Sequence, residues 1–125
     1  MVTLGANTTL TGTDPTFTAG VTGIGKNLTL SFSGTTAIDG AKFTGINQLI
    51  ANNGGLTQLT GALTTTGSQT YTDNVVLMND VTLTGTAVAF GGTLNDNGAT
   101  SDESLVIVGN LSLNGVVGEI GRAHV

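Results

Sequence analysis

The chain of 125 residues is poor in several residue types, and each shortage removes a class of structure or function. It contains no cysteine, which excludes a disulfide framework and thiolate metal sites. It contains one proline and 4% aromatic residues. Charged residues make up 9% of the chain, compared with about 25% in an ordinary soluble domain. Because no run of about 18 apolar residues occurs, no segment predicts a membrane-spanning helix.

The charges that are present are mainly negative. Eight acidic and three basic residues give a net charge of −5, which argues against nucleic acid as a partner because phosphates require lysine and arginine. Paired carboxylates can hydrolyse glycosides, but only Lys26 and Lys42 precede the last six residues as cations that could assist them. We therefore expect solvated loop acids and no enzyme, and we assign no catalytic, cofactor-binding or metal-ligating residue. The acids are Asp14, Asp39, Asp73, Asp80, Asp96, Asp102, Glu103 and Glu119.

Alternation of small polar and apolar residues is the dominant pattern, in a chain with 20 glycines, 24 threonines and 11 asparagines. In residues 27–33, Leu28, Leu30 and Phe32 would share one face of a strand. Residues 104–108 are almost entirely apolar, which predicts a strand covered on both faces. Residues 45–52 predict a strand or at most one turn of helix. Turn dipeptides such as Asn53-Gly54 keep the strands short.

The phrase NTTLTGT at residues 7–13 returns as DVTLTGT at residues 80–86. At this offset of 73, residues 2–13 match residues 75–86 at seven of twelve positions. A long repeat made of short strands predicts a solenoid, whose units usually run about 20–45 residues. We therefore predict an all-β β-solenoid of five to six coils. Its super-repeat would hold about three coils, with the second copy beginning near residue 74.

Residues 63–71, LTTTGSQTY, followed by Asn74–Leu77, resemble the recurring unit of very large bacterial surface proteins. Residues 2–12 and 88–94 share this resemblance. These proteins are the filamentous-haemagglutinin-like or β-strand-repeat adhesins, exported by two-partner secretion or as autotransporters. The resemblance implies a right-handed parallel β-helix and a non-catalytic stalk or adhesive segment, secreted to the surface of a Gram-negative cell. The implied partners are neighbouring coils of the same long chain and host or surface glycans or proteins.

Two other interpretations stay open at this point. One is a β-helix enzyme or carbohydrate-binding module that acts on polysaccharide, which predicts acids and a cation gathered on one face. The other is a β-sandwich adhesion module, which predicts antiparallel strand pairing. A stalk predicts instead a smooth side with threonine and asparagine ladders.

The last six residues, IGRAHV, hold the only arginine and the only histidine. They resemble the translation of a widely used sequencing adapter. We therefore expect residues 1–119 to be a fragment of the repeat array that continues beyond Glu119, and residues 120–125 to be a non-native tail. On this reading His124 is neither a ligand nor a base.

Weaker motifs have simpler explanations. Residues 20–27, GVTGIGKN, nearly fit a phosphate-binding loop, but Asn27 replaces the required hydroxyl and a strand pattern follows, so we expect a coil corner. The stretch from Asp96 to Glu103 offers oxygen ligands for calcium, but an acidic insertion loop explains it better.

Three glycosylation sequons, at Asn7, Asn27 and Asn110, are expected by chance in this composition. Two Thr-x-Thr triplets resemble the ice-binding faces of some solenoids, but they recur too rarely to form a flat array. They are Thr9/Thr11/Thr13 and Thr82/Thr84/Thr86.

Overall fold

A computed structural model describes residues 1–98 and 103–125. In it the chain winds into a parallel β-solenoid of about six turns, as the alternation and the repeat predict. Every strand pair in the described residues is parallel, which is incompatible with the antiparallel pairing of a β-sandwich module. The only helix within those residues is a single 3₁₀ turn at Gly40–Lys42.

The strands stack into three faces, and several long strands bend around a corner from one face to the next. The first face holds β1 (Val2–Thr3), β3 (Val21–Thr22), β6 (Phe43–Thr44), the second part of β8 (Leu56–Thr64), the middle of β10 (Asn74–Phe90), the first part of β12 (Ser104–Leu113) and β13 (Arg122–His124). The second face holds β2 (Thr8–Gly12), β4 (Leu28–Phe32), β7 (Leu49–Asn52), β9 (Gln69–Tyr71) and the ends of β10 and β12. The third face holds β5 (Thr35–Asp39), the start of β8, the start of β10 and β11 (Leu94–Asp96).

Alternation along each strand determines which side chains fill the interior. In β4, Leu28, Leu30 and Phe32 are buried, whereas Thr29 and Ser31 are half-buried on the outer side, as the sequence predicts. Successive side chains of a strand point to opposite faces, so the inward ones stack directly on those of the next coil. The result is one continuous hydrophobic core that runs through all the coils.

Strands that pair across adjacent coils are separated by 18 to 24 residues in the sequence. On the second face, Tyr71 stacks three coils after Leu10 and Phe90 four coils after it, at offsets of 61 and 80 residues, so an offset of 73 is not a whole number of coils. Leu10 lies on the second face, while Leu83, its counterpart at that offset, lies on the first. The predicted super-repeat of about three coils thus does not describe the stacking. The division of the chain at residues 119 and 120 stays a prediction.

The expectation that residues 104–108 form a strand covered on both faces is wrong. Leu105 and Ile107 are buried, but Val106 is half-buried and Val108 is 52% exposed. A solenoid wall is a single sheet with one interior, so every second side chain faces outward. An all-apolar run here marks an apolar outer surface rather than a second packed layer.

Asparagines at the corner between the first and second faces form a ladder. Asn7 accepts the backbone N–H of Asn27 at 3.0 Å, and Asn27 Oδ1 accepts a side-chain N–H of Asn47 at 2.8 Å. Thr66 continues the column by donating its hydroxyl to Asn47 Oδ1 at 3.0 Å. These bonds satisfy polar groups at a bend where the strand ladders stop. Coil stacking thus accounts for three of the eleven asparagines.

Candidate functional site

A groove lies beside the third face, lined by residues 15–18 of the first coil and by residues of the next three coils. Its volume is about 320 Å³. The lining residues from β5 onward are Ala37, Ile38, Asp39, Lys42, Gln58, Thr60 and Met78. Residues 15–18 form no strand and run past β5 without pairing to it. The gap between this segment and β5 is the groove.

The charged groups in this groove already serve local structure. Lys42 Nζ donates a hydrogen bond to the Thr18 carbonyl at 3.1 Å, which holds one wall. Asp39 accepts the backbone N–H of Ala41 at 3.1 Å and caps the 3₁₀ turn. Phe17 packs edge-on against Phe43 with ring centroids 5.2 Å apart, so it anchors the wall to the core. The groove also offers hydroxyl and amide groups.

Most of the described acids lie at corners between the faces, and each accepts a backbone N–H. Asp14 accepts from Thr35 at 2.6 Å, and Asp80 accepts from Ser104 at 2.9 Å, so both bonds join one coil to the next. Asp73 reaches back to Gly54 at 2.8 Å. Asp96 accepts from Gly98 within its own turn. Carboxylates used in this way stabilise the corners of the coils.

The carboxyl groups of two of these acids have pKa values that differ from the ordinary one. Burial raises the pKa of the Asp73 carboxyl and outweighs the hydrogen bonds from the N–H groups of Gly54 and Gly55. The pKa of Asp80 is lowered by the hydrogen bond from the Ser104 N–H and by a second bond from the Ser104 side chain, because both stabilise the carboxylate. Each shift has a structural cause at a corner.

The segment that resembles a phosphate-binding loop is a coil corner, as expected. Its backbone N–H groups are occupied: Gly23 donates to the Thr44 carbonyl at 2.8 Å and Gly25 to the Gly45 carbonyl at 2.7 Å. Strand β4 follows it, so the helix N-terminus that receives phosphate is missing from this place. Ile24 adopts a positive φ of 50° at the tip of the turn.

The two Thr-x-Thr triplets lie on different faces and do not align. Thr9 and Thr11 stack on Thr29 and Ser31, but the next coil presents Ile50 and Asn52 at these positions. The second triplet lies on the first face, within β10. A flat threonine array of the ice-binding kind is therefore not formed by them.

The candidate calcium ligands are only partly described, because Asp102 lies outside the described residues. Asp96 accepts from Gly98, and the Asn97 side-chain N–H donates to the Met78 carbonyl at 3.2 Å. Glu103 is buried. Within residues 1–98 and 103–125, no three histidine or acidic side chains lie together as a metal site would require.

The sequons differ in accessibility. Asn7 and Asn110 are exposed, whereas the Asn27 side chain is half-buried and engaged in the asparagine ladder.

Residues 122–124 form β13 against the start of β12. Arg122 and His124 of this strand line a second, open depression together with Asp80.

A buried polar network, which the sequence patterns did not reveal, lies in the second face. Tyr71 is fully buried, donates its hydroxyl to Gln69 Oε1 at 2.8 Å and stacks on Phe90 with centroids 5.3 Å apart. The Gln69 side-chain N–H groups donate to the carbonyls of Thr84 at 3.0 Å and Leu63 at 3.3 Å. Burial raises the pKa of the Tyr71 phenol. The sequence contains one sign of this network: Gln69 and Tyr71 are two residues apart, so on a strand their side chains point to the same side.

No protein-family model, curated protein or solved structure matches this chain. The described residues also include no helix with the length and hydrophobicity needed to cross a bilayer.

Proposed function

We propose that this chain is a non-catalytic structural segment, a stalk or adhesive rod, of a large secreted surface protein of the filamentous-haemagglutinin-like kind. The observation that carries this proposal is the uninterrupted stack of coils around one core. The second face alone aligns six strands, and its inward side chains form continuous columns. Such an architecture holds its two ends at a fixed separation, which is the mechanical requirement of a stalk.

The use of the acids supports a structural role over an enzymatic one. A polysaccharide-cleaving site needs carboxylates that converge on one sugar ring. Asp14, Asp73 and Asp80 instead each accept a backbone N–H of a neighbouring coil, and they lie in different coils. We therefore favour the stalk over the β-helix enzyme. The resemblance of residues 63–71 to surface-protein repeats supports localisation at the cell surface.

The test is to insert the chain between an outer-membrane anchor and a fluorescent tag and to measure the distribution of tag heights above the membrane. Six coils spaced about 4.8 Å apart predict a fixed contribution of about 29 Å. A Gly/Ser linker of equal length is the matched control. It should place the tag about 60 Å away on average, with a broad distribution.

A narrow height distribution near the predicted value supports the stalk. A distribution as broad as that of the linker would contradict it. The purified chain should also release no reducing ends from a panel of bacterial and plant polysaccharides, and measurable release would favour the enzyme instead.

A further inference from the structure

The second face of the solenoid differs from the other two faces in its charge. None of the residues in its strands is charged, and all of these strands lie in the described part of the chain. Charged residues do occur in the strands of the other faces, such as Asp39 and Asp96 on the third face and Arg122 on the first. Depletion of charged residues is the compositional signal of the centre of a protein–protein interface.

The outward side chains of the second face are short and lie in straight columns along the rod. In β4, Thr29 lies midway between the corner residue Asn27 and the next outward residue, Ser31. The column through Thr29, named the outer column, has one member from each coil. Its members are Thr9, Thr29, Ile50, Thr70, Ala89 and Ser112. Because short side chains have little rotamer freedom to lose, ordering them in a contact costs little entropy.

The partner that fits this surface is a second copy of the same solenoid. The outer column repeats at the coil spacing of about 4.8 Å, and a surface with the same interval stays in register with it over every coil. Charge favours the same face, because two chains with a net charge of −5 repel each other least where uncharged surfaces meet. The other faces are also less flat. A depression of about 320 Å³ that includes Thr44 and Thr64 interrupts the first face, and the groove interrupts the third.

We propose that two copies of this chain lie side by side with their second faces in contact, related by a two-fold axis parallel to the rod axis. This symmetry keeps the rods parallel and places each coil opposite the same coil of the other copy. Because the outer column is central, Thr29, Ile50 and Thr70 each lie opposite their own counterparts. The proposal rests on the proposed function, since stalks anchored in one membrane stand parallel to each other.

The size of the second face determines how strong this contact is. Six strands about 4.8 Å apart, each of about five residues at 3.3 Å, give about 480 Å² per copy. The total of about 960 Å² is close to the lower limit of about 1,000 Å² for a specific interface, so two copies in solution should associate weakly. Each further coil of a longer stalk would add about 80 Å² per rod, and anchoring many stalks in one membrane raises their effective concentration.

The first test introduces a single cysteine into a chain that has none. Thr70→Cys places a thiol in the outer column, opposite the same thiol of the second copy. Thr84→Cys is the matched control, because Thr84 is also an outward, half-buried threonine but lies on the first face. A short bis-maleimide should couple two copies of Thr70→Cys at least about tenfold faster than two copies of Thr84→Cys. Equal rates would overturn the proposal.

An exchange of charges tests the two-fold symmetry. Thr29→Lys places two ammonium groups opposite each other, and Thr29→Glu places two carboxylates there. Sedimentation equilibrium at up to about 1 mM should show that each substitution weakens association about tenfold or more. An equimolar mixture of the two variants should restore association, because opposite charges then meet, and this recovery requires both variants to be folded. The same two substitutions at Thr84 control for the change in net charge and should leave association unchanged.

The outcomes separate the second copy from other occupants of the second face. Loss of association in both Thr29 variants and recovery in their mixture support the proposal. An unmodified chain that stays monomeric at about 1 mM, or a Thr29→Lys chain that associates as well as the unmodified one, overturns it. A monomeric chain that is retained on cellulose or chitin fibres would assign the face to a neutral polysaccharide instead. Because the tag-height experiment uses one anchored copy, either proposal can fail without the other.

Discussion

Replacing Tyr71 by phenylalanine tests whether the buried network in the second face stabilises the stack. The substitution removes one hydroxyl and leaves the ring that stacks on Phe90. Gln69 cannot turn its amide to compensate, because its N–H groups are already donated to the carbonyls of Thr84 and Leu63. Its Oε1 would then be buried without the donor that now lies 2.8 Å away.

The expected loss follows from that orphaned acceptor. A buried polar group left without a partner costs about 1–3 kcal/mol, and part of this is offset because the buried phenol itself disappears. We expect Tyr71→Phe to lower the free energy of unfolding by about 1–2 kcal/mol. For a domain of this size that corresponds to a fall in Tm of about 3–10 °C.

Urea unfolding and calorimetry measure this loss, with Thr70→Val as the matched control. Thr70 is the neighbouring residue on β9, its side chain is half-buried on the opposite face, and the variant also removes one hydroxyl. The control should change stability by less than about 0.5 kcal/mol. A Gln69→Met variant completes a double-mutant cycle, in which the two losses should not add.

Two results would refute the reasoning. Tyr71→Phe could cost no more than Thr70→Val, or the losses from Tyr71→Phe and Gln69→Met could add to within about 0.5 kcal/mol. Either result would show that the hydroxyl and the amide are not coupled.

Three further predictions concern titration, packing and backbone. Burial raises the pKa of Tyr71, so the buried neutral phenol stabilises the fold fully below the unfolded-state pKa of about 10. This stabilisation is lost as the pH rises from there toward the folded-state pKa. Phenolate absorbance should therefore appear only together with unfolding. Thr57→Val should raise the free energy of unfolding by about 1 kcal/mol in urea titrations, since the Thr57 hydroxyl is buried with no hydrogen-bond partner among the described residues; a loss would contradict this. Gly20→Ala should destabilise by more than about 1 kcal/mol, because Gly20 has a φ of 88° and a Cβ there would collide with the Lys42 carbonyl, whereas Gly5→Ala, in open space, should be neutral in the same thermal melts.

The alternation of single strands could be predicted from sequence, because inward and outward positions differ chemically. Leu28, Leu30 and Phe32 fall on the buried face for this reason. The number of residues per coil was harder to predict from the sequence. The strongest similarity in the sequence, at an offset of 73, links strands on different faces, since the first and second faces both contain a Thr-Leu-Thr segment. The better signal was Asn7, Asn27 and Asn47 at intervals of 20, which mark one corner in three successive coils.

The candidate site was less predictable than the fold. The groove at residues 15–18 depends on where a segment without strand pairing passes the third face, and no local pattern encodes that. The Gln69–Tyr71 network depends on carbonyls contributed by Leu63 and Thr84, which are remote in sequence from each other. The apolar run at 104–108 was misleading, because an outward valine and an inward valine look the same in a sequence.

The most direct test of the central claim, parallel coils stacked at intervals of about 20 residues, uses the absence of cysteine. Thr9→Cys with Thr29→Cys places two thiols on neighbouring outward positions of β2 and β4, about 4.8 Å apart. A fluorogenic reagent that bridges two adjacent thiols should label this pair in the folded chain. The pair Thr9→Cys with Thr82→Cys, spaced by the 73-residue offset, lies about 19 Å apart along the axis and should stay unbridged. Bridging of the second pair and not the first would contradict the coil stacking described above.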